Sequence, residues 1–164
     1  MAELFKNFNL RLTSTGSDAV LVPSGLPDDT EYCVKNGKKI NASGADTSFG
    51  TNIRTTSSIV QVHSLYMSNY WSTRLVNENR YKETSFKHVD LYIGDDTYTN
   101  YKIYVAYDIE LVPGCPFYIE KNITLTPSQK LYVYAPQSGQ STTGNTSVDI
   151  NVTAAAIEFI SDTE

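Results

Sequence analysis

The chain has 164 residues, and 13 lysines and arginines face 18 aspartates and glutamates, which gives a formal net charge of −5. That balance argues against a nucleic-acid or anionic-membrane surface, because both need concentrated positive charge. No run of roughly 18 apolar residues exists to span a bilayer, so we expect neither a nucleic-acid partner nor a membrane partner. The length suits one domain over 1–164, and the first residues lack the pattern of a secretory signal.

Tyrosine is the most informative residue type in the composition. The chain has 12 tyrosines against 1 tryptophan and 2 methionines. Tyrosine together with valine, isoleucine and threonine is typical of strands. Tyrosine also suits contact surfaces, because its ring is rigid and amphipathic.

The first third of the chain predicts short strands. Phe8, Leu10 and Leu12 alternate with polar residues, which indicates a strand with one wet face. Further along, Asn36–Gly37 is a pair that closes tight hairpins, with the chain returning from residue 38. The stretch 36–58 is rich in Gly, Ser, Thr and Asn, and we predict it as a loop or arm insertion.

Residues 59–67 predict a central strand with two partly apolar faces. One face would hold Val60, Val62 and Tyr66, and the other Ile59, Leu65 and Met67. The stretch 68–87 then predicts a second insertion. A short helix over 73–79 and a loop or hairpin are both compatible with its weak apolar spacing.

Two clear strands follow. In the first, Val89, Leu91 and Ile93 are predicted to point inward, and Asp90 and Tyr92 outward.

The second strand, residues 101–112, alternates over its whole length and ends at Pro113–Gly114. One face would carry Tyr101, Ile103, Val105, Tyr107, Ile109 and Leu111. The other would carry Lys102, Tyr104, Asp108 and Glu110.

The last third predicts a turn at 126–129 and two more strands. Leu131 and Val133 should face inward, with Tyr132 and Tyr134 outward. In the final strand the apolar phase changes near 154–156, which predicts a β-bulge there.

No convincing helix is present, and short strands recur with turns between them. This pattern predicts an all-β chain, folded as a single antiparallel β-sandwich or jelly-roll-like domain with the two insertions 36–58 and 68–87.

No arrangement of residues predicts chemistry. His63 and His88 lie in or beside strands, outside any nucleophile or metal motif. The carboxylates Asp90, Asp108 and Glu110 fall on predicted polar faces, where solubility explains them. We therefore expect no catalytic residue, no cofactor and no metal site.

Cys33 and Cys115 are too few for a disulfide framework and have no metal-binding spacing. We expect two reduced, partly buried thiols, and a single bridge between them stays open as an alternative.

The aromatic cluster Tyr66, Tyr70 and Trp71 is the best candidate for a contact surface, for a protein partner or for a glycan. The outward Tyr132 and Tyr134 add two further candidate contact residues.

Three stretches of the chain resemble small all-β virion structural proteins of tailed bacteriophages, of the marine and cyanobacterial type. They are LFKNFNLRLTSTG at the start, HVDLYIGDD with YKIYVAYDIELVPGCPF in the middle, and KNITLTPSQKLYVYAPQSG with SVDINVTAAAIEF at the end. Together they cover somewhat more than half of the chain.

This resemblance implies a virion protein without enzymatic activity, assembled in the host cytoplasm. It would form a homo-oligomer, a trimer or ring, and pack on capsid, neck or tail proteins. Head decoration and a neck, collar or tail position both stay open, and the two insertions favour attachment slightly. The alternative is a carbohydrate-binding module for host adsorption, in which Tyr66, Tyr70 and Trp71 stack on sugar and Asp95, Asp96 and Asn100 hydrogen-bond to it.

Overall fold

The structure is a computed structural model that describes residues 2–25, 32–35, 38–41, 46–47, 54, 58–69, 75–76, 79–80, 86–95, 101–139 and 144–160. Every regular element within these ranges is a β-strand, as predicted. Within the part of the chain that the structure describes, no helix has the length and apolar character needed to cross a membrane.

Fourteen strands are described. They are β1 Ala2–Leu12, β2 Asp18–Val22, β3 Tyr32–Lys35, β4 Lys38–Asn41, β5 Asp46–Thr47, β6 Ser58–Asn69, β7 Leu75–Val76, β8 Asn79–Arg80, β9 Lys87–Asp95, β10 Lys102–Leu111, β11 Phe117–Ile119, β12 Ile123–Leu125, β13 Gln129–Tyr134 and β14 Ile150–Ile160.

Two antiparallel sheets pack face to face and enclose the core. Sheet A has the order β1-β14-β6-β11, with β12 also paired to β6, and sheet B has the order β10-β9-β13-β2. Alternate residues of each strand point between the sheets, since the side-chain period of a strand is two. The predicted β-sandwich is confirmed.

The strand order is that of a jelly roll. Taken together, β11 and β12 follow one edge of β6 and act as one strand, which leaves β1, β2, β6, β9, β10, β11/β12, β13 and β14 as the principal strands. Sheet A then contains the first, eighth, third and sixth of them, and sheet B the second, seventh, fourth and fifth. Consecutive strands thus alternate between sheets at both ends of the chain, as two Greek keys require.

The core consists of apolar side chains from both inner faces. Its largest fully buried members are Phe8, Leu65, Met67, Leu91, Leu111, Leu125, Leu131 and Ile150. Leu131 and Val133 point inward while Tyr132 and Tyr134 point outward, so the predicted alternation of β13 is confirmed.

The bulge predicted in the final strand lies instead on its partner. Along β14, Ala155 pairs with Ser64 and Ala156 pairs with Val62, so His63 is the extra residue. Because β14 stays in continuous register with β1, its own inward phase never changes. The prediction of a phase change at 154–156 was therefore wrong, because the extra residue is on the neighbouring strand.

This bulge corrects the predicted faces of β6. An extra residue reverses the side-chain direction beyond it. Val60, Val62, Leu65 and Met67 consequently all face the core. Tyr66, predicted to share a face with Val60, points out of sheet A.

The unbroken phase of β14 also buries a charge. Glu158 lies on the inward phase, opposite Val60, and is fully buried. The ammonium group of Lys6 lies 2.6 Å from its carboxylate. A paired carboxylate therefore occupies the core side of β14, between Ile157 and Phe159 on the outer side.

Short strands occupy part of both predicted insertions. β3, β4 and β5 form a three-stranded antiparallel sheet, in which Lys35 pairs with Lys38, so the predicted hairpin across Asn36–Gly37 is confirmed. Leu75 and Val76 pair with Arg80 and Asn79. The hairpin alternative for 68–87 is thus confirmed and the helix alternative is wrong.

Among the described residues of the stretch 36–58, Arg54 lies deep in the sandwich. Arg54 is fully buried. Its guanidinium donates to five backbone carbonyls, at 2.7 to 3.2 Å: those of Pro23, Ser58, Leu125, Thr126 and Gln129. These carbonyls come from the ends of β2, β6, β12 and β13, so Arg54 joins both sheets.

The predicted turn at 126–129 forms part of the same end of the sandwich. The Gln129 N–H donates to the Thr126 carbonyl at 3.1 Å, which closes the turn. Ser24 Oγ and the Gly25 N–H both donate to the Pro127 carbonyl, at 2.9 and 2.7 Å. This end is therefore bound together by polar groups as well as by apolar packing.

We expect Arg54→Met to lower the free energy of unfolding by about 4 kcal/mol, because several buried carbonyls lose their donor at roughly 1–3 kcal/mol each with partial relaxation. Urea denaturation followed by circular dichroism measures the difference.

Arg11→Met is the matched control. The Arg11 guanidinium pairs with Asp149 through two 2.8 Å hydrogen bonds at an exposed position. Its loss should cost less than about 1 kcal/mol. Equal effects of the two substitutions would show that Arg54 does not join the sheets.

Candidate contact surface

A row of tyrosines crosses the outer face of sheet B. Tyr104 on β10 lies opposite Tyr92 on β9, which lies opposite Tyr132 on β13. The Tyr92 and Tyr132 rings stack at 5.1 Å between centroids and 15°, and the Tyr92 and Tyr104 rings lie 5.8 Å apart at 57°. Tyr107 meets Tyr104 edge to face at 5.3 Å. We call these four residues, with the adjacent Tyr134, the tyrosine surface.

The tyrosine surface has a covered centre and an exposed rim. Tyr92 points outward, as predicted, yet it is only 3% exposed, because its neighbours cover it. Tyr104 is 48% exposed and Tyr107 is 69% exposed. Rings held in place by other rings lose little conformational entropy on contact, which favours their use as anchors.

Gly94 makes room for the central stack. A Cβ atom on Gly94 would lie 2.7 Å from Cε2 of Tyr132 and 3.2 Å from its Cδ2. The Tyr132 ring therefore rests directly over the glycine backbone of β9. This packing covers a glycine within a strand with an aromatic ring from the neighbouring strand.

The charged side chains of Lys102 and Asp18 contact the tyrosine surface. The Lys102 ammonium lies 4.4 Å from the Tyr92 ring centroid, 5.9 Å from that of Tyr134, and 3.6 Å from Oδ1 of Asp18. Burial, together with a hydrogen bond to Asp18, raises the pKa of Tyr92 well above its usual value. The Tyr92 hydroxyl is thus a neutral hydrogen-bond donor at physiological pH.

Two register shifts in β10 create the exposed rim. Tyr104 pairs with Tyr92, Ala106 with Leu91 and Ile109 with Val89, so β10 gains one residue at each step. The first shift reverses the side-chain direction and the second restores it. Tyr107 consequently points outward beside Tyr104.

The prediction that Tyr107 shares a face with Ile109 and Leu111 was therefore wrong. Uninterrupted alternation would have placed Tyr104 and Tyr107 on opposite faces of the strand. Tyr101 and Ile103, which were placed on that same face, are exposed, whereas Ile109 and Leu111 are buried.

A small polar network holds the second shift. Asp108 has a φ of 52°, in the left-handed region that aspartate tolerates better than most residues. Its N–H donates to Asp90 Oδ1 at 2.8 Å, and its own Oδ1 lies 3.0 Å from His88 Nδ1. Asp90 is buried, unlike the solvated carboxylate that we expected, and this burial raises the pKa of the Asp90 carboxyl.

Asn145 supports this network from behind. Its side chain accepts a hydrogen bond from the His88 N–H at 2.8 Å and donates to the His88 and Pro136 carbonyls at 2.8 and 3.0 Å. These bonds attach the segment before β14 to β9. Asn145 is accordingly a buried structural residue.

The predicted contact residues fall on opposite sides of the sandwich. Tyr132 and Tyr134 belong to the tyrosine surface on sheet B. Tyr66 lies on the outer face of sheet A, where it meets the exposed Tyr118 edge to face at 5.2 Å. Tyr70 and Trp71 lie outside the described residues.

The proposed sugar partners of Tyr66 are distant from it. Asp95 lies opposite Gln129, and Arg54 links the Gln129 carbonyl to that of Ser58 at the start of β6. A strand rises about 3.3 Å per residue, so Tyr66 lies about 26 Å further along β6. Tyr66 and Asp95 therefore do not form one site, and Asp96 and Asn100 lie outside the described residues.

Within the described ranges, no group of three or more His, Cys, Asp or Glu side chains is arranged to hold a metal ion. Cys115 is a free thiol and is exposed, so the expectation of a partly buried thiol was wrong for it. It lies in the turn after Pro113–Gly114, where few neighbours cover the side chain. The Cys33 side chain lies outside the described part of the structure.

No protein-family model matches this chain, and neither a curated protein nor a solved structure matches it. The jelly-roll fold by itself does not define an activity, because one fold hosts many functions. The function of this chain is therefore inferred from its own residues and geometry.

The Asp90 carboxylate carries an ionisation penalty that an amide would lack. Because the folded-state pKa is raised, stability falls as the pH rises from the ordinary aspartate range through that pKa. Asp90→Asn keeps an oxygen for the Asp108 N–H. We expect it to be more stable than the native chain at pH 7, with the difference shrinking as the pH falls below 4.

Asp90→Ala separates the charge from the hydrogen bond. It leaves the Asp108 N–H without its acceptor and should destabilise by about 1–3 kcal/mol at both pH values. Thermal unfolding between pH 3 and pH 8 compares the three chains. An Asn variant that is less stable at pH 7 than the native chain would contradict this account.

Gly94→Ala should displace the Tyr132 ring and destabilise the fold by about 1–3 kcal/mol through overpacking. In a Tyr132→Ser background the same alanine should cost far less, since the ring that it meets is gone. A double-mutant cycle by urea denaturation measures this coupling. Additive effects of the two changes would exclude the contact as the cause.

Proposed function

We propose that this chain is a non-enzymatic structural protein of a tailed-phage virion, which oligomerises and packs on capsid, neck or tail proteins. The observation that carries the proposal is the tyrosine surface, a rigid aromatic patch with an exposed rim on the outer face of a jelly-roll sheet. Such a surface is suited to contact with another protein, and tyrosine is enriched among interface anchors.

The architecture supports a structural role. Jelly rolls recur in viral capsid proteins and in lectins, so the fold is compatible with both candidate functions. The resemblance of three stretches of the chain to phage virion proteins favours the first. The fold and the resemblance support a structural role by analogy only, whereas the tyrosine surface supports it through the exposure and packing of its own residues.

The energetic logic of the tyrosine surface also favours a contact role. Its two register shifts and the left-handed Asp108 cost conformational energy. They turn Tyr107 towards solvent, where its ring gains nothing for the core. Contact between the Tyr107 ring and a partner removes apolar surface from water, and this burial offsets the conformational cost.

The test is the copy number of the chain in purified particles, measured by quantitative mass spectrometry against the major capsid protein. Hundreds of copies would indicate a decoration protein on the head lattice, and a dozen to a few dozen would indicate the neck, collar or tail. Absence from the particle would refute the proposal.

The tyrosine surface can be tested in the same particles. We expect Tyr104→Ser combined with Tyr107→Ser to reduce incorporation at least about tenfold, because two interface anchors are lost. Phe86→Ser is the control, since Phe86 is an exposed aromatic residue outside the tyrosine surface. Equal incorporation of both variants would count against the tyrosine surface as the contact.

Carbohydrate binding is the second candidate, and one observation favours it. The exposed Tyr104 ring contacts the Tyr92 ring, over which the Lys102 ammonium lies, and Lys102 is paired with Asp18. These charged groups offer hydrogen bonds near an aromatic platform. A glycan array with the native chain, Tyr107→Ser and Phe86→Ser discriminates the two functions. Binding that only Tyr107→Ser abolishes would support a glycan site, and no binding to any host polysaccharide would count against it.

A further inference from the structure

The outer face of sheet A carries an apolar patch on the side of the sandwich opposite the tyrosine surface. Phe5 on β1 pairs with Ile157 on β14, and Phe159 on β14 pairs with Ile59 on β6. Phe5 is 83% exposed, and Ile59 is also exposed. We call these four residues the apolar patch, and Phe5 is its protruding member.

A depression lies directly beside the apolar patch. It is lined by Phe5, Lys6, Asn7, His63, Ala155, Ala156 and Ile157, and its volume is about 170 Å³. The short side chain of Ala155, opposite Asn7 and Ser64 in the register, leaves this space open. A cavity of about 150 Å³ can hold a benzene molecule, so the depression is large enough for one phenyl ring.

We propose that two copies of the chain pair through this face about a two-fold axis, each inserting its Phe5 ring into the depression of the other. A two-fold contact uses the same surface on both partners, so the surface must carry both a projection and a matching recess. The apolar patch and the depression are adjacent on one face, which meets that requirement.

The size of the face is sufficient for a stable pair. β1 and β14 are each 11 residues long, and the sheet is four strands wide. With about 3.4 Å per residue and about 4.8 Å between strands, the face covers about 700 Å². A standard protein interface buries about 800 Å² on each partner.

The charge distribution also favours a second copy as the occupant. Copies of a chain with a net charge of −5 repel each other. Among the outward-facing residues of β1, β14 and β6, the only aspartate, glutamate, lysine or arginine side chains are those of Glu3 and Arg11, and Arg11 pairs with Asp149. This face therefore adds little like-charge repulsion between two copies, and a low content of charge marks the centre of interfaces.

The two-fold pair rests on the oligomerisation that the proposed function assumes, and it names the contact. Dihedral rings contain two-fold contacts of this kind, so the pair is compatible with assembly into larger particles. It leaves the tyrosine surface, on the opposite side of the sandwich, free for a different partner.

Sedimentation equilibrium of the untagged chain over a concentration series tests the pair. We expect a dimer at roughly 50 µM for the native chain. Phe5→Ser should raise the dissociation constant by roughly 30-fold or more, because each dimer loses two anchors. Phe5 is exposed and contributes little to the core, so circular dichroism should show an unchanged fold.

Ala155→Leu tests the recess independently. The leucine side chain fills the depression and should also abolish the dimer. A mixture of Phe5→Ser with Ala155→Leu should restore association, because the open recess of the first chain accepts the Phe5 ring of the second, while the filled recess of the second chain faces only the small side chain that replaces Phe5 in the first. A general loss of stability in either variant would not produce this rescue.

Phe86→Ser is the matched control, because Phe86 is an exposed aromatic residue outside the apolar patch, and it should leave the dissociation constant unchanged. A native chain that stays monomeric up to roughly 1 mM overturns the pair, as does a dimer that Phe5→Ser leaves intact. Copy number in particles is a separate readout. A chain that is present in virions yet monomeric refutes only the pair, and a dimer that is absent from virions refutes only the proposed function.

Discussion

The sandwich depends on one buried guanidinium. Arg54 is fully buried, and it binds carbonyls at the ends of four strands, two from each sheet. A buried carbonyl without a donor is costly, and a planar group with several N–H donors can satisfy many of them at once. The hydrogen bonds of the Arg54 guanidinium position the turn at 126–129 and the end of β2. They therefore join the two sheets at one end of the sandwich.

The positions of the bulges decide what the sandwich presents to its surroundings. The extra residue at His63 turns Val60, Val62, Leu65 and Met67 inward and leaves Tyr66 outside. The two shifts in β10 do the opposite for Tyr107, which leaves the core side and joins Tyr104 on the surface. Since a strand has only two faces, one inserted residue is enough to exchange them.

The two outer faces that result differ in character. Sheet B carries stacked tyrosines held by Lys102 and Asp18, a surface rich in hydroxyl groups and suited to a specific polar partner. Sheet A carries the apolar patch around Phe5 and a recess beside it, a surface suited to its own copy. On our proposals, a single chain thereby offers one contact to itself and another to a neighbour, as a component of a large assembly must.

The sequence by itself determined the features that depend on neighbouring residues. The all-β class, the hairpin across Asn36–Gly37, the turn at 126–129 and the alternation of β13 follow from turn chemistry and a period of two, which are local. Only the tertiary structure decided the burial of Arg54, the pairing of Glu158 with Lys6 and the exposure of Tyr107. Each depends on which strand lies opposite and where an extra residue falls, and that is a property of pairing between distant segments, which no local pattern encodes.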